Sequence, residues 1–499
     1  MKSYLIIPMG GSGSRFIKAG YKTYKVFLKI DQLNTILDKI ISNFNGIDLE
    51  VIILGNNKLF NRYKYYLNKK NIHFISIKKH QKGPVYSIYL GLSKIKKIIK
   101  KNKNIFISYS DINWSWNIKE VYKKLKNKNL AVFTHTNFHP HLESNSKSDF
   151  CKIKKNNIIK IIEKKTFSND YKKDFLAIGC YYIKDVSYLN FFFQKVKKQF
   201  LNKKETYLVS LINFYLRKKI KIFNYKIDKF VHLGIPSQYE DYLKWKDFFL
   251  RKKNNIKLKN ISSIMLMAGK GKRMKSLNIA KPFLPFEGKP MYKYIFDYYK
   301  SKEKQIITNS IFKNRLKKFD YKLNIIKNSN SMFETINLSR KLLTEMNDYF
   351  LTSCDCMGNF DKKNIKKLIE AKNLDLVLFA FKFSDLQKKL GNAHTQLVLK
   401  RKKLKDIRVK KYYKNGLYGH AGMFWIKNGK IFNYLDEFKL SKYYLNMKRE
   451  ILIDDYFKYL VNRKKINISY FLLKNYIHIG SIKEYQEYLY WKHYFKNDR

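Results

Sequence analysis

Cysteine is scarce, with four residues in a chain of 499. So few cannot form a disulfide framework at this length, which fits a reducing compartment. No run of about eighteen apolar residues occurs, so no membrane-spanning helix is expected. The opening stretch, Met1 to Phe16, lacks the apolar core and small-residue cleavage site of a secretory signal. A soluble, cytoplasmic protein is expected. Long low-complexity tracts are missing too, while hydrophobic residues make up 45%, enough for sizeable cores. Wholly disordered and collagen-like chains are thereby excluded.

Acidic residues are few: 38 Asp and Glu stand against 104 Lys and Arg, a net charge of +66. Such a balance normally points to anionic partners, nucleic acid or acidic lipid among them. Here nearly all the excess is lysine, dispersed in short runs such as Lys123-Lys124 and Lys402-Lys403. Asn, Ile, Tyr and Phe, whose codons are A/T-rich like those of Lys, are abundant as well. No zinc finger, RNA-recognition signature or helix-turn-helix pattern accompanies the charge. We assign it to genome composition rather than to a nucleic-acid groove. A positive surface still draws in polyanionic small molecules such as nucleotides.

What the chain does contain, it contains twice. Gly10-Gly11-Ser12-Gly13-Ser14-Arg15 near the start is matched by Ala268-Gly269-Lys270-Gly271-Lys272-Arg273. Two apolar strands end in Asp, as Ile105–Asp111 and as Tyr349–Asp355. Glu205-Thr206-Tyr207-Leu208 is matched by Glu450-Ile451-Leu452-Ile453. Each half closes on His-x-Gly and an aromatic ladder, His232, Gly234, Tyr239, Tyr242 and Trp245 against His478, Gly480, Tyr485, Tyr488 and Trp491. Ordered matches at a nearly constant offset predict a tandem duplication, with domains 1–250 and 258–499 joined through the polar stretch 251–260. The ladders, at helical spacing, are expected in cores.

Within each half, β-rich apolar runs (Tyr4–Met9, Val51–Gly55, Asn104–Tyr109) alternate with helical stretches at 34–44 and 84–99. This alternation predicts an α/β fold, a mostly parallel sheet covered on both faces. Such a sheet binds ligands beyond the carboxyl ends of its strands, where both glycine loops and both Asp residues fall. Gly11-x-Gly13-x-Arg15 and Gly269-x-Gly271-x-Arg273 each follow a strand. Glycine lets backbone N–H groups approach phosphate oxygens, and Arg adds a charged fork. Neither loop is a dinucleotide fingerprint, since Phe16 or Met274 holds the third glycine position, and no Walker loop occurs.

These residues carry a family resemblance. Each half resembles a sugar-phosphate nucleotidyltransferase, a group with a Rossmann-like domain that includes thymidylyl-, guanylyl- and phosphocholine cytidylyltransferases. The C-terminal half follows its loop with Ala280-Lys281-Pro282-Phe283-Leu284; the N-terminal half has Tyr24-Lys25-Val26-Phe27-Leu28, without the prolines. The resemblance implies that Arg15 with Lys25, and Arg273 with Lys281, bind triphosphate and serve catalysis. Gln81 and Gly83 would meet the base in one half; Asn330, in a segment like that of phosphoalcohol cytidylyltransferases, would do so in the other. Asp111 and Asp355 match the Mg²⁺-binding Asp, a role that suits a hard cation near the α-phosphate. Glu163 and Lys164 match the pair that contacts the acceptor phosphate, and Gly179 and Gly422 the glycine near the sugar.

The chain also departs from the family. Where the hexose-specific enzymes place a second metal-binding Asp, His232 and His478 stand, and imidazole is a poorer Mg²⁺ ligand. The C-terminal half reads Ile407-Arg408-Val409-Lys410 where the Glu-Lys pair is expected. Asn137-Phe138-His139-Pro140-His141 is similar to a stretch in enzymes of capsule and surface-polysaccharide synthesis. Neither that segment nor Cys354-Asp355-Cys356 has zinc-ligand spacing. The expected activity is transfer of a nucleoside monophosphate from a triphosphate to a sugar 1-phosphate or phosphoalcohol, with release of pyrophosphate. A catalytic half joined to a regulatory or binding half is one alternative, and a glycosyltransferase of related topology another.

Overall fold

The computed structural model describes residues 2–11, 13–99, 102–143, 148–201, 205–250, 256–258, 261–269, 272–316, 321–383, 394–400, 403–410 and 418–496. The chain divides into two compact units: unit 1, Met1–Lys246 with Tyr490–Arg499, and unit 2, Asp247–Leu489. Of the stretch 251–260, expected as a linker, the described part is a short strand, Ile256–Leu258.

Unit 1 is built on a nine-stranded sheet in the order Ile72–Ser76, Leu49–Gly55, Ser3–Pro8, Asn104–Ser108, Phe175–Ile183, Leu130–His135, Ile222–Lys226, Asn157–Ile162, Phe150–Lys154. Ser3–Pro8 is buried along its whole length, as an apolar strand covered on both faces must be. It pairs in parallel with Leu49–Gly55 and with Asn104–Ser108. Phe175–Ile183 runs antiparallel to both its neighbours, and the hairpin of Phe150–Lys154 with Asn157–Ile162 completes one edge. The sheet is therefore mixed, not mostly parallel as expected. The physical reason is the hairpin: it returns the chain to the sheet centre without a crossover helix, so the next strand enters reversed.

The helix Gly83–Ile98 buries Val85, Ile88 and Ile95 against the parallel part of this sheet. It also carries the chain from the Ile72–Ser76 edge back to Asn104–Ser108, on the other side of Ser3–Pro8. The connection reverses direction there, so the crevice between the ends of Ser3–Pro8 and Asn104–Ser108 is a topological switch point.

Unit 2 has the corresponding order: Lys322–Ile326, Lys304–Asn309, Ser262–Met267, Asn347–Ser353, Tyr418–Asn428, Leu376–Lys382, Ile468–Leu472. Its sheet is mixed for the same reason, Tyr418–Asn428 lying antiparallel to Asn347–Ser353 and Leu376–Lys382. The switch point falls between Ser262–Met267 and Asn347–Ser353. The closing aromatics are buried, as expected for core packing. All four cysteines are buried free thiols. Among the described residues no helix is long and apolar enough to cross a membrane.

Candidate functional site

At both switch points a lysine from a short 3₁₀ turn meets the aspartate that follows a central strand. In unit 1 the turn Lys25–Phe27 places Lys25 Nζ 3.3 Å from Asp111 Oδ2. In unit 2 the turn Lys281–Phe283 places Lys281 Nζ 2.6 Å from Asp355 Oδ2. Burial pushes the Asp111 carboxyl up, but Lys25, His232 and Arg15 together hold it below its ordinary value. Asp355 is likewise opposed by burial, and Lys281 and His478 hold it well below the usual carboxylate range. Both carboxylates are thus anionic at neutral pH; Asp355 is buried, whereas the Asp111 side chain is 36% exposed.

The glycine loops lie beside these pairs. Gly11 is exposed, and its carbonyl accepts the Tyr24 hydroxyl at 2.6 Å, which ties the loop to the residue before Lys25. Gly13 has a φ of 62°, a left-handed turn that starts the helix Ser14–Lys18, on which Arg15 is exposed. In unit 2, Gly269 bridges in parallel to Ser329, so the loop adjoins Asn330, whose N–H donates to Glu334 Oε2 at 2.6 Å. Gly271 and the Arg273 side chain lie outside the described residues. In unit 1 the matching segment reaches Gly10 through His80, whose N–H donates to the Gly10 carbonyl at 3.4 Å. Gln81 is exposed next to it; Gly83, with φ 84°, opens the following helix tight against the Thr206 backbone.

The closing histidines stand next to the aspartates. Lys229–His232 pairs His232 with Ile112, and Lys474–His478 pairs His478 with Cys356. One difference in their surroundings bears on their charge. In unit 1 the Gly234 N–H donates to the Gln238 amide oxygen at 3.0 Å; at the same spacing in unit 2, Gly480 N–H donates to Glu484 at 3.1 Å. The other Glu484 oxygen lies 2.8 Å from His478 Nδ1, and Asp355 Oδ2 lies 3.6 Å from His478 Nε2. Burial alone would favour neutral imidazole, but Glu484 and Asp355 raise His478 to about 9. For His232, half-buried and without a close Glu, desolvation prevails over Asp111 and takes it to about 4. One unit closes with a neutral imidazole, the other with an imidazolium.

Further out, Lys164 in unit 1 lies 3.6 Å from Glu205 and 3.9 Å from Glu163, with its ammonium over the Tyr207 ring. In unit 2, Lys410 lies 3.4 Å from Glu450. Both lysines have left-handed backbone, φ 55° and 46°. Unit 2 therefore has a lysine in the same setting, with Val409 where unit 1 has Glu163. Gly179 and Gly422, at φ 90° and 69°, lie on the strands beside the Asp-bearing ones. A Cβ on Gly179 would meet the Tyr109 ring at 2.6 Å.

In unit 2 one cavity of about 1020 Å³ gathers Gly269, Lys281, Asn330, Asp355, Gly422 and Lys410 on its lining. It also exposes residues that sequence reasoning did not single out. His420 Nδ1 lies 2.8 Å from Asp454, which accepts the Thr395 hydroxyl at 2.7 Å, and His394 joins the lining. Counting from Gly179 and Glu205, unit 1 has Ala177 and Val209 in place of His420 and Asp454, both in its apolar core. The sequence carries only a weak trace of them: a His two residues before the matched glycine, and an Asp four residues after Glu450.

His139 and His141 do not lie in an open loop. Both are buried among His135, Phe230, His232, Tyr490 and Trp491. Cys354 and Cys356 are buried thiols pushed up to about 12 by burial, so neither is a ready thiolate.

No protein-family model and no curated protein matches this sequence. Among solved structures it is similar to the nucleoside-diphosphate-sugar pyrophosphorylase from Vibrio cholerae RC9, at 20% identity over 48% of this chain and 99% of that one, TM-score 0.39. It is similar to the inositol-1-phosphate CTP transferase from T. maritima, at 16% identity over 48% and 97%, TM-score 0.37. A UDP-glucose pyrophosphorylase complexed with UDP-glucose matches at 15% identity over 48% and 99%, TM-score 0.38.

Proposed function

We propose that the chain is a nucleotidyltransferase built as a tandem duplication, which moves a nucleoside monophosphate from a triphosphate to a phosphate-bearing acceptor and releases pyrophosphate. The observation that carries this reading is the shared Lys–Asp pair at each switch point, beside a glycine loop, with an acceptor-side lysine further out. The common strand order of the two units supports the duplication. In such a reaction the acceptor phosphate oxygen is already anionic and attacks the α-phosphorus, so no strong base is needed. The protein must neutralise crowded negative charge and hold two phosphates in line. Loop amides, Arg15 or Arg273, and Lys25 or Lys281 do that.

Mg²⁺, when bound, would neutralise and orient the triphosphate. Asp111 fits it: one carboxylate, with phosphate and water filling the other positions, is a common magnesium arrangement. Asp355 fits less well, because Lys281 at 2.6 Å and His478 at 3.6 Å already serve the oxygen a cation would take. The units therefore divide labour. Unit 1, with Asp111 and the Glu163-Lys164 pair, takes a sugar 1-phosphate. Unit 2 takes a different acceptor, rich in hydroxyl groups, since Thr395, His420 and Asp454 offer hydrogen bonds where unit 1 is apolar. The products, an activated sugar or phosphoalcohol, suit surface-polysaccharide synthesis.

Pyrophosphate release, screened over four nucleoside triphosphates against sugar 1-phosphates and phosphoalcohols, tests the reading. Release that requires both Mg²⁺ and an acceptor is expected. Full activity in excess chelator, or release in no combination, rejects it.

A further inference from the structure

We propose that unit 2 binds a borderline transition-metal ion, of the Zn²⁺ or Co²⁺ class, through His394, His478 and Glu484, with release of the His478 proton to solvent. One ligand atom from each of the three lies within 4.8 Å of the other two. The His394 and His478 rings are 5.1 Å apart, and Glu484 Oε1 lies 2.8 Å from His478 Nδ1. Small movements bring such a group to the spacing that nitrogen and oxygen ligands take at about 2.0–2.2 Å from zinc.

The surroundings hold the ligands as a metal site requires. The second Glu484 oxygen accepts the Ser481 hydroxyl at 2.8 Å and the Gly480 N–H at 3.1 Å, which fixes the carboxylate. The His478 ring is stacked on Tyr476, and that of His394 is flanked by Phe381 and Phe383. Both imidazoles line the cavity, so an ion held by them would be accessible from it. Two imidazoles and a carboxylate with one open position suit zinc or cobalt; magnesium prefers oxygen alone. The group is particular to unit 2, since Gln238 holds the Glu484 position in unit 1.

The ion would lie on the wall that carries Asp355, adding positive charge to the proposed phosphate site. That role rests on the function proposed above; binding of the ion does not.

The test uses the full chain and the metal alone. The protein is equilibrated with Co²⁺ in excess Mg²⁺, desalted, and read for bound cobalt and for the visible absorption of a low-coordinate Co²⁺ site. One retained Co²⁺ per chain, displaced by Zn²⁺, is expected. Glu484→Gln and His394→Gln should each weaken retention at least ~10–100-fold. Glu484→Gln keeps the bond to Gly480, as Gln238 keeps that to Gly234, so the variant has a folded precedent within the chain. No retained cobalt in the parent protein, or full retention in both variants, overturns the proposal. Pyrophosphate release in no combination of triphosphate and acceptor, with cobalt still bound, would reject the function and leave the metal site standing.

Discussion

The two aspartates look equivalent in the sequence, and their neighbours separate them. Asp111 has one ammonium at 3.3 Å, whereas Asp355 is held by Lys281 and His478. Replacing Asp by Asn keeps the shape and removes the charge. A lost transition-state contact of about 3–4 kcal/mol slows turnover ~10²–10³-fold. We expect Asp111→Asn to cost that much in transfer to a sugar 1-phosphate, while Asp355→Asn leaves that reaction largely intact and abolishes transfer to the second acceptor. Single mutants assayed on both acceptors, with folding followed by circular dichroism, make the comparison. Equal loss of one reaction in both mutants would reject independent sites. The glycines, lysines and aspartates were legible because they follow one another in a short, fixed order. The partners that tell the sites apart were not. Glu484 is six residues from His478, and Asp454 is distant in sequence from both His420 and Thr395, so only the fold brings them together.

At the level of elements, strand–helix alternation showed the layered α/β fold and the location of the switch points. It did not show strand direction, because an apolar run reads the same either way and the β-hairpin that reverses the next strand has no separate signal. The glycines illustrate how local geometry divides residues that share a motif. Gly83 has φ 84°, and a Cβ there would lie 2.5 Å from the Thr206 carbonyl oxygen, a backbone atom that cannot swing aside. Around Gly269 no heavy atom of the described residues, its chain neighbours aside, lies within 4 Å of the same test position. Gly83→Ala should therefore destabilise unit 1 by about 1–3 kcal/mol through strain at a left-handed position. Gly269→Ala should leave stability within about 0.5 kcal/mol, as a surface substitution does, yet raise KM for the triphosphate by crowding the phosphate path. Denaturant unfolding and triphosphate titration of the two variants separate the cases. Equal stability losses would show that the loop at Gly269 is structural.

For the molecule as a whole, the net charge of +66 suggests electrostatic attraction but says nothing of what acid does to the fold. That depends on a few buried imidazoles. His139 and His141 are buried in unit 1, against His135, Phe230, His232, Tyr490 and Trp491. Burial first, then the repulsion of neighbouring imidazoles, and for His141 also Lys244, hold both well below their ordinary value. In the unfolded chain both titrate near about 6.5. Above that pH, folded and unfolded states bind the same number of protons and the cluster costs nothing. As pH falls through about 6.5 the unfolded chain takes up protons that the folded unit refuses, so stability is lost with acid. The slope approaches about 1.4 kcal/mol per pH unit for each histidine. We expect the unfolding transition of unit 1 to move to lower denaturant between about pH 7 and 5. His139→Gln should flatten that dependence, because one of the depressed histidines of the cluster, which also includes His135 and His232, no longer titrates. Denaturant melts of parent and variant at a series of pH values, followed by Trp fluorescence, measure both slopes. An identical slope in the variant would mean that acid acts elsewhere and that this cluster is already open to protons in the folded chain.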